Sequence, residues 1–167
     1  MLRKIARLRV PLGFVFGVLV LWLADPTPRT LSIGAVVALL GELVRIWAAG
    51  HLEKGREVTS SGPYGLTRHP LYLGSTLIGV GLMIAAADVW VSIVVLLYLT
   101  ITYTAAIRTE EAHLTEKFGA AYPQYRAGQM SVKRAFSLER ALKTNREYRA
   151  AIGVMIVLVV LGWKAIA

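Results

Sequence analysis

Five long apolar runs, separated by segments that hold nearly all of the charge, limit what this chain can fold into. They cover residues 10–24, 31–49, 70–87, 89–107 and 150–167. A helix that crosses a bilayer needs about 20 mainly apolar residues, with a range of roughly 17–25. The first run is short for this. The second fits although it contains Glu42 and Arg45, and the last fits with Lys164 near its end. All are too long and continuous for buried strands and lack strand alternation, so they read as helices. The hydrophobic fraction of 56% exceeds the ~45–50% of soluble globules. The expected fold is all-α, a polytopic membrane bundle of about five transmembrane helices forming a single domain over residues 1–167.

The charge then acquires a direction. Lys and Arg number 19 against 10 Asp and Glu, a net charge of +9. The aromatic-spaced basic stripes of RNA binders are missing, so a nucleic-acid partner is not expected. Residues 1–9 hold Arg3, Lys4, Arg7 and Arg9; residues 50–69 hold Lys54, Arg56 and Arg68; residues 108–149 hold a further nine cations. If the helices alternate in direction, these segments share one side, which the positive-inside rule makes the cytoplasm. The expected topology has the N-terminus inside, the C-terminus on the opposite side, and a cytoplasmic helical segment between the fourth and fifth spans. The basic start and short first run resemble a secretory signal, but Trp22-Leu23-Ala24-Asp25 offers no small-x-small cleavage site, so a retained helix is expected. There are no cysteines, which excludes disulfides and cysteine metal sites, and the three histidines lack ligand spacing, so no metal is expected.

Ala86-Ala87-Asp88 leaves room only for a tight hairpin between the third and fourth runs. That hairpin returns the chain to the side it left. Arg68 and His69, ahead of the third run, and Glu110 and Glu111, after the fourth, therefore meet at one cytoplasmic mouth. Arginine and an imidazole N–H grip a carboxylate, and a carboxylate holds an ammonium or bridges ribose hydroxyls. S-adenosylmethionine carries all of these groups and a sulfonium. Methyl transfer from it chiefly requires in-line positioning and exclusion of water, and a cleft open to lipid suits an apolar acceptor.

The residues that carry this mouth also carry a resemblance. The stretches "SGPYGLTRHPLYLGSTLIGVG" and "RTEEAHLTEKFGAAYPQYR" resemble the isoprenylcysteine carboxyl methyltransferase family, which is related to membrane phospholipid methyltransferases. The matching positions are Gly62, Pro63, Tyr64, Arg68, His69, Pro70, Tyr72 and Gly74, then Glu110, Glu111, Leu114, Phe118, Gly119, Tyr122 and Tyr125. "RIWAAGHL", residues 45–52, adds to the likeness, which covers roughly residues 41–126. The resemblance implies an integral membrane methyltransferase that uses S-adenosylmethionine near the cytoplasmic surface on a lipophilic acceptor drawn from the bilayer. The chain departs from the pattern after Tyr125, where "RAGQMSVKRAFSLERAL" replaces a proline-containing exit, and this leaves the acceptor undefined.

Arg68, His69, Tyr72, Glu110, Glu111 and His51 are the expected cofactor-binding residues. Arg108, Glu111 and Arg45 are the candidates for a catalytic role, since no residue identifies itself as an obligatory base. Each has a plainer reading. Arg68 can be a snorkelling anchor, Tyr72 part of an interfacial aromatic belt, and the glutamates a solvated pair. Successive helical residues point about 100° apart, so one glutamate is expected to contact the cofactor while the other pairs with a cation such as Arg108. Glu42 and Arg45, three apart, are expected to pair and face the bundle interior. Gly74 and Gly81 are expected to permit close helix packing. Phe118, Tyr122 and Tyr125 share a face with Leu114 that serves either as core or as a cover for adenine. His113 is expected to be exposed.

Two other functions fit parts of the sequence. Membrane sterol reductases carry a similar histidine-proline-tyrosine stretch and use a nicotinamide cofactor, but are much longer and lack the paired-glutamate tail. A non-enzymatic membrane protein that binds lipid or a partner would use the basic stretch 131–149, with Leu138 and Leu142 on one face, against anionic lipid.

Overall fold

The computed structural model describes residues 13, 15, 17–130 and 132–167. The basic residues 1–9 and the start of the first apolar run lie outside the described residues. Among those described, the regular structure is helical throughout: α1 (residues 17–23), α2 (Pro28–His51), α3 (Pro70–Ala86), α4 (Val89–Phe118), α5 (Ala121–Arg126) and α6 (Tyr148–Ile166). A single 3-10 turn (Gly62–Gly65) and one π turn (Arg140–Thr144) interrupt the loops.

Each boundary has a local cause. Pro28 sits at the first position of α2, where its missing N–H costs nothing, so the helix begins three residues before the apolar run. Thr27 and Thr30 close a reciprocal capping box there, with Thr27 N donating to Thr30 Oγ1 at 2.9 Å and Thr30 N to Thr27 Oγ1 at 3.2 Å. Pro70 opens α3 in the same manner. The α3–α4 turn is as tight as expected: Ala87 takes the left-handed conformation, φ 51°, and Asp88 Oδ1 caps Val91 N at 2.8 Å. α4 then runs 30 residues, well past the expected end at Ile107, until Gly119 at φ 53° stops it. At 1.5 Å per residue it measures about 45 Å, longer than a ~30 Å hydrocarbon core. Its last turns therefore carry Glu110 and Glu111 on a rigid rod instead of a loop.

Among the described residues, three helices, α2, α4 and α6, are long and apolar enough to cross a membrane; α3 is apolar but only 17 residues long. The expected all-helical membrane class holds at that level. The segment between α5 and α6 has no regular structure at 132–137 and becomes helical only from Leu138. Two of its cations turn inward, while Lys133, Lys143 and Arg146 stay exposed, as does Arg149 at the start of α6. Arg134 Nη2 reaches Glu57 at 2.8 Å and Arg140 Nε reaches Glu53 at 2.8 Å. The segment instead folds over the end of α2, whose last carbonyls need partners. Asn145 Nδ2 donates to Ala49 O at 2.8 Å and Leu52 O at 3.0 Å, and Ser137 N donates to Gly50 O at 3.1 Å.

The tightest packing joins α2 and α3 through a stripe of small residues. A Cβ built on Gly41 would lie 2.6 Å from Gly74 O, and one on Gly81 would lie 2.6 Å from Gly34 O and 2.8 Å from Ala38 Cα. Seven residues forward along α2 match seven back along α3, so the helices run antiparallel with backbones in contact. Gly74 and Gly81 are thus packing residues, as their spacing suggests.

Glu42 and Arg45 do face the interior, but the intrahelical pair is long, 4.0 Å. Arg45 turns instead to Glu147, before α6, with Nε and Nη2 each 2.5 Å from Glu147 Oε1, and also bonds Ser75 Oγ on α3. One arginine therefore ties three helices. At the opposite end, Lys164 Nζ donates to Trp22 O at 2.9 Å and Asp25 N to Ala86 O at 2.8 Å, bringing the ends of α1, α3 and α6 together. Exposed Trp22, Trp90 and Trp163 ring this end.

The stripe predicts a simple contrast. Gly81→Leu should lower unfolding stability in detergent by about 1–3 kcal/mol through overpacking. Gly153→Leu, at a position open on all sides, should leave it nearly unchanged. Equal effects would mean that α2 and α3 are not in backbone contact.

Candidate functional site

The hairpin brings the start of α3 and the last turns of α4 side by side. Pro70 fixes the chain direction at the helix start, leaving His69 just outside it and Arg68 in the preceding loop. Both converge on one oxygen. His69 Nε2 donates to Glu111 Oε1 at 3.0 Å, and Arg68 Nη1 lies 3.3 Å from the same atom. Because the carboxylate accepts, Nε2 carries the imidazole proton in this pairing. One turn into α3, Tyr72 donates from its hydroxyl to Glu110 Oε2 at 3.0 Å. The rings of His69 and Tyr72 are 6.0 Å apart, and those of Tyr72 and Tyr103 meet edge-on at 5.2 Å.

The two glutamates thus differ as their helical positions require. Glu111 is partly buried and engaged with Arg68 and His69, whereas Glu110 is exposed at the rim. Arg108 does not supply the expected partner: it is exposed and makes no ion pair among the described residues. Arg108 stands three residues before Glu111, a spacing that permits a pair, yet Glu111 is engaged from across the hairpin by Arg68 and His69.

Below this rim a groove of ≈ 340 Å³ opens between α3 and α4. His69, Tyr72 and Tyr103 stand at its mouth, and its walls continue through Leu73, Val80, Leu96 and Leu99. From His69 to Val80 it follows about 16 Å of helix. Polar rim and apolar groove are therefore continuous.

Behind the rim lies an aromatic cluster. Tyr64, from the 3-10 turn, packs with Tyr122 and Tyr125 of α5, with Leu71, Leu114 and Phe118 around them. Tyr125 donates to Tyr64 O at 2.6 Å, which locks α5 to the loop leading to Arg68. The face shared by Leu114, Phe118, Tyr122 and Tyr125 is thus a packed layer. The hydroxyl of Tyr64 is buried without a hydrogen-bond partner, and that of Tyr122 is buried beside the Glu111 carboxylate. Burial and the neighbouring Glu111 charge push the Tyr122 phenol up to about 12, and burial also raises the phenols of Tyr64 and Tyr125. All three keep their protons at neutral pH. The family pattern includes Tyr122 but gives no signal for its approach to Glu111, which exists only once α5 docks.

His51 and Arg45 stand apart from the Glu111 group. His51 is buried at the end of α2, its Nδ1 3.2 Å from Ser61 Oγ and its ring packed against Phe136. Arg45 is held by Glu147 and Ser75. His113 is exposed. Among the described residues, no group of three or more His, Asp or Glu side chains gathers closely enough to hold a metal ion.

Residues 30–121, from the first turn of α2 through the small-residue stripe, the hairpin and both glutamates, match the phospholipid methyltransferase family. The chain belongs to that family. The methyltransferase match ends at the start of α5, so Tyr122 and Tyr125 lie just beyond it. The chain is also similar to the cobalt-zinc-cadmium resistance protein CzcN of Cupriavidus metallidurans, 34% identical over 94 residues, covering 55% of this chain and 44% of that protein. The nickel-cobalt-cadmium resistance protein NccN of Alcaligenes xylosoxydans xylosoxydans is 29% identical over 90 residues, 53% of this chain and 42% of its own length. The matched segment thus spans less than half of each of these two relatives. No solved structure matches the chain. Phospholipid methyltransferases generally use S-adenosylmethionine, and the apolar helices fit a membrane methyltransferase.

Proposed function

We propose that this protein is an integral membrane methyltransferase that takes its methyl group from S-adenosylmethionine and acts on a lipophilic acceptor at the cytoplasmic face. The observation that carries this reading is the charged rim of Arg68, His69, Glu110 and Glu111 set directly on an apolar groove. The donor set fits the amino-acid end of the cofactor. Arg68 uses one nitrogen toward Glu111 and keeps 43% of its side chain exposed, so its remaining N–H groups are positioned to grip a carboxylate. Glu110, exposed beside it, suits an ammonium or ribose hydroxyls. When bound, the cofactor supplies an electrophilic methyl on a sulfonium. The chain's own residues hold its charged ends, and the tyrosine layer behind them excludes water.

The groove suits an acceptor with an apolar chain, its reacting group held at the Tyr72–Tyr103 mouth and its tail against Leu73, Val80 and Leu96. Carboxylate, thiol and amine acceptors differ in how the nucleophile is made ready, and an amine must first lose a proton. The family reading extends to the isoprenylcysteine carboxyl methyltransferase type because that pattern continues through Tyr122 and Tyr125, past the end of the matched segment. In the same reading the bundle crosses the bilayer five times, with residues 50–69 and 108–149 cytoplasmic. The tryptophans at the other end support an interface there.

The site reading separates the glutamates. Arg68→Ala should weaken S-adenosylhomocysteine binding by ~1.5–3 kcal/mol, the scale of a charge-assisted hydrogen bond. Glu110→Gln should weaken it as well, while Glu111→Gln should chiefly lower the melting temperature by releasing Arg68 and His69. Calorimetric titrations paired with melts test this; unchanged affinity in folded Arg68→Ala and Glu110→Gln proteins would return both residues to an anchoring role.

Topology has its own test, made clean by the absence of cysteine. In intact cells, Lys54→Cys and Lys143→Cys should be shielded from an impermeant thiol reagent while Thr27→Cys labels. Labelling at Lys54→Cys in sealed cells would reverse the orientation.

A further inference from the structure

The groove between α3 and α4 is apolar at its floor but not along its whole length. Thr76 of α3 and Thr100 and Thr104 of α4 also line it, and all three are exposed. A hydroxyl at membrane depth is costly unless bonded, and a helical serine or threonine ordinarily satisfies itself on the carbonyl four residues back. Ser75, Ser92, Thr102, Thr109 and Thr115 all do so. Thr76 does too, donating to Tyr72 O at 2.9 Å, so its oxygen is left able only to accept. Thr100 and Thr104 are the exceptions on α4. Their hydroxyls make no hydrogen bond among the described residues, and both line the groove. The positions are layered, because four residues of helix rise about 6 Å. Thr104 flanks Tyr103 at the mouth, Thr76 stands one turn deeper than Tyr72, and Thr100 one turn deeper than Thr104. Val80 and Leu96 follow one turn deeper still. From mouth to floor the groove is aromatic, then hydroxyl-lined, then apolar.

We propose that the acceptor carries a secondary amide between its reacting group and its hydrocarbon tail, and that Thr76, Thr100 and Thr104 are specificity-determining residues that read this linkage. This rests on the acceptor reading of the groove given above, and it narrows the class of acceptor. With the reacting group at the Tyr72–Tyr103 mouth, whatever follows it down the groove passes the threonines before it reaches Val80 and Leu96. An unbroken hydrocarbon chain would leave the Thr100 and Thr104 hydroxyls unpaired in a medium without water. A carbonyl oxygen on the acceptor accepts from them instead. The amide N–H answers Thr76, whose oxygen can only accept. An ester meets the first demand and not the second, so the two kinds of hydroxyl together single out the amide.

The test uses the purified full chain, S-adenosylmethionine with a labelled methyl group, and matched amphiphiles with a decyl tail. Each bears an amine, a thiol or a carboxylate, joined to the tail at equal length by a secondary amide, an N-methyl amide or methylenes alone. In the series that is methylated, kcat/KM should fall about tenfold from the secondary amide to the methylene chain, the scale of one or two neutral hydrogen bonds. The N-methyl amide, which keeps the carbonyl and loses the N–H, should lie between them. Thr100→Val/Thr104→Val removes both donors and keeps the side-chain shape; it should bring the N-methyl amide level with the methylene chain. Thr76→Val should bring the secondary amide level with the N-methyl amide. Affinity for S-adenosylhomocysteine should match the parent in both proteins, which shows that the charged rim is intact. The rise in melting temperature that each amphiphile gives without the methyl donor should follow the same ranking, so the threonines are read even where no compound is methylated. Equal kcat/KM and equal melting shifts across the linkages in the parent would overturn the proposal. So would a preference for the secondary amide that survives all three substitutions, or a preference for the methylene chain. A parent that binds no S-adenosylhomocysteine would instead remove the methyltransferase reading, and the melting shifts would then judge the groove by itself.

Discussion

Backbone contact between α2 and α3 is the constraint on which the rest of the structure depends. Lipid is as apolar as the helices it surrounds, so burial from water gives helices little reason to associate inside a bilayer. Association there needs close packing, and Gly34, Gly41, Gly74 and Gly81 permit it by removing the side chains that would keep the backbones apart. The contact has a register, set by two glycine pairs seven residues apart on each helix. That register fixes how far Pro70 stands from the end of α2, and hence where Arg68 and His69 emerge. The tight α3–α4 turn then carries the register to α4, whose length delivers Glu111 to His69.

The charged groups follow a consistent division. Inside the bundle, Arg45 is tied to Glu147 and Ser75 and serves to join α2, α3 and α6. Its bonds are structural in kind, since breaking such a buried pair leaves an uncompensated charge and costs about 3–5 kcal/mol. At the rim, Arg68 and Glu110 keep exposed surface, which leaves them able to meet a ligand. Two partly buried cations of the segment before α6, Arg134 and Arg140, are occupied by Glu53 and Glu57. The basic residues thus divide into internal pairs, exposed cations such as Lys133 and Arg146, and Arg68 at the candidate site.

Much of this was legible in the sequence because it is local or periodic. The apolar runs, the proline helix starts, the hairpin at Ala87 and the meeting of Arg68 and His69 with a glutamate all follow from short-range rules. Gly74 and Gly81 announced a close contact by their spacing, though their counterparts Gly34 and Gly41 did not stand out from other apolar residues of α2. What was missed depends on long-range docking. Glu147 lies 102 residues from Arg45 and gives no sign of the pairing; Glu42, three residues away, looked like the partner. Arg108, three residues from Glu111, looked like its mate, but Arg68 and His69 reach that carboxylate from the chain before α3. The extra length of α4 was hidden because its last turns are polar and read as loop. The approach of Tyr122 to Glu111 has no counterpart in any sequence pattern.

The account's central claim is that the rim above the α3–α4 groove recognises the amino-acid and nucleoside groups of a methyl donor. The family match, the paired charges and the apolar groove all support it, and a histidine-proline-tyrosine stretch is equally at home in nicotinamide-dependent membrane reductases. Calorimetric titration of the purified protein with S-adenosylhomocysteine, and separately with reduced nicotinamide cofactor, distinguishes the two directly. The methyltransferase account predicts saturable one-to-one binding of S-adenosylhomocysteine and none of the nicotinamide. Saturable nicotinamide binding with no response to S-adenosylhomocysteine would contradict it.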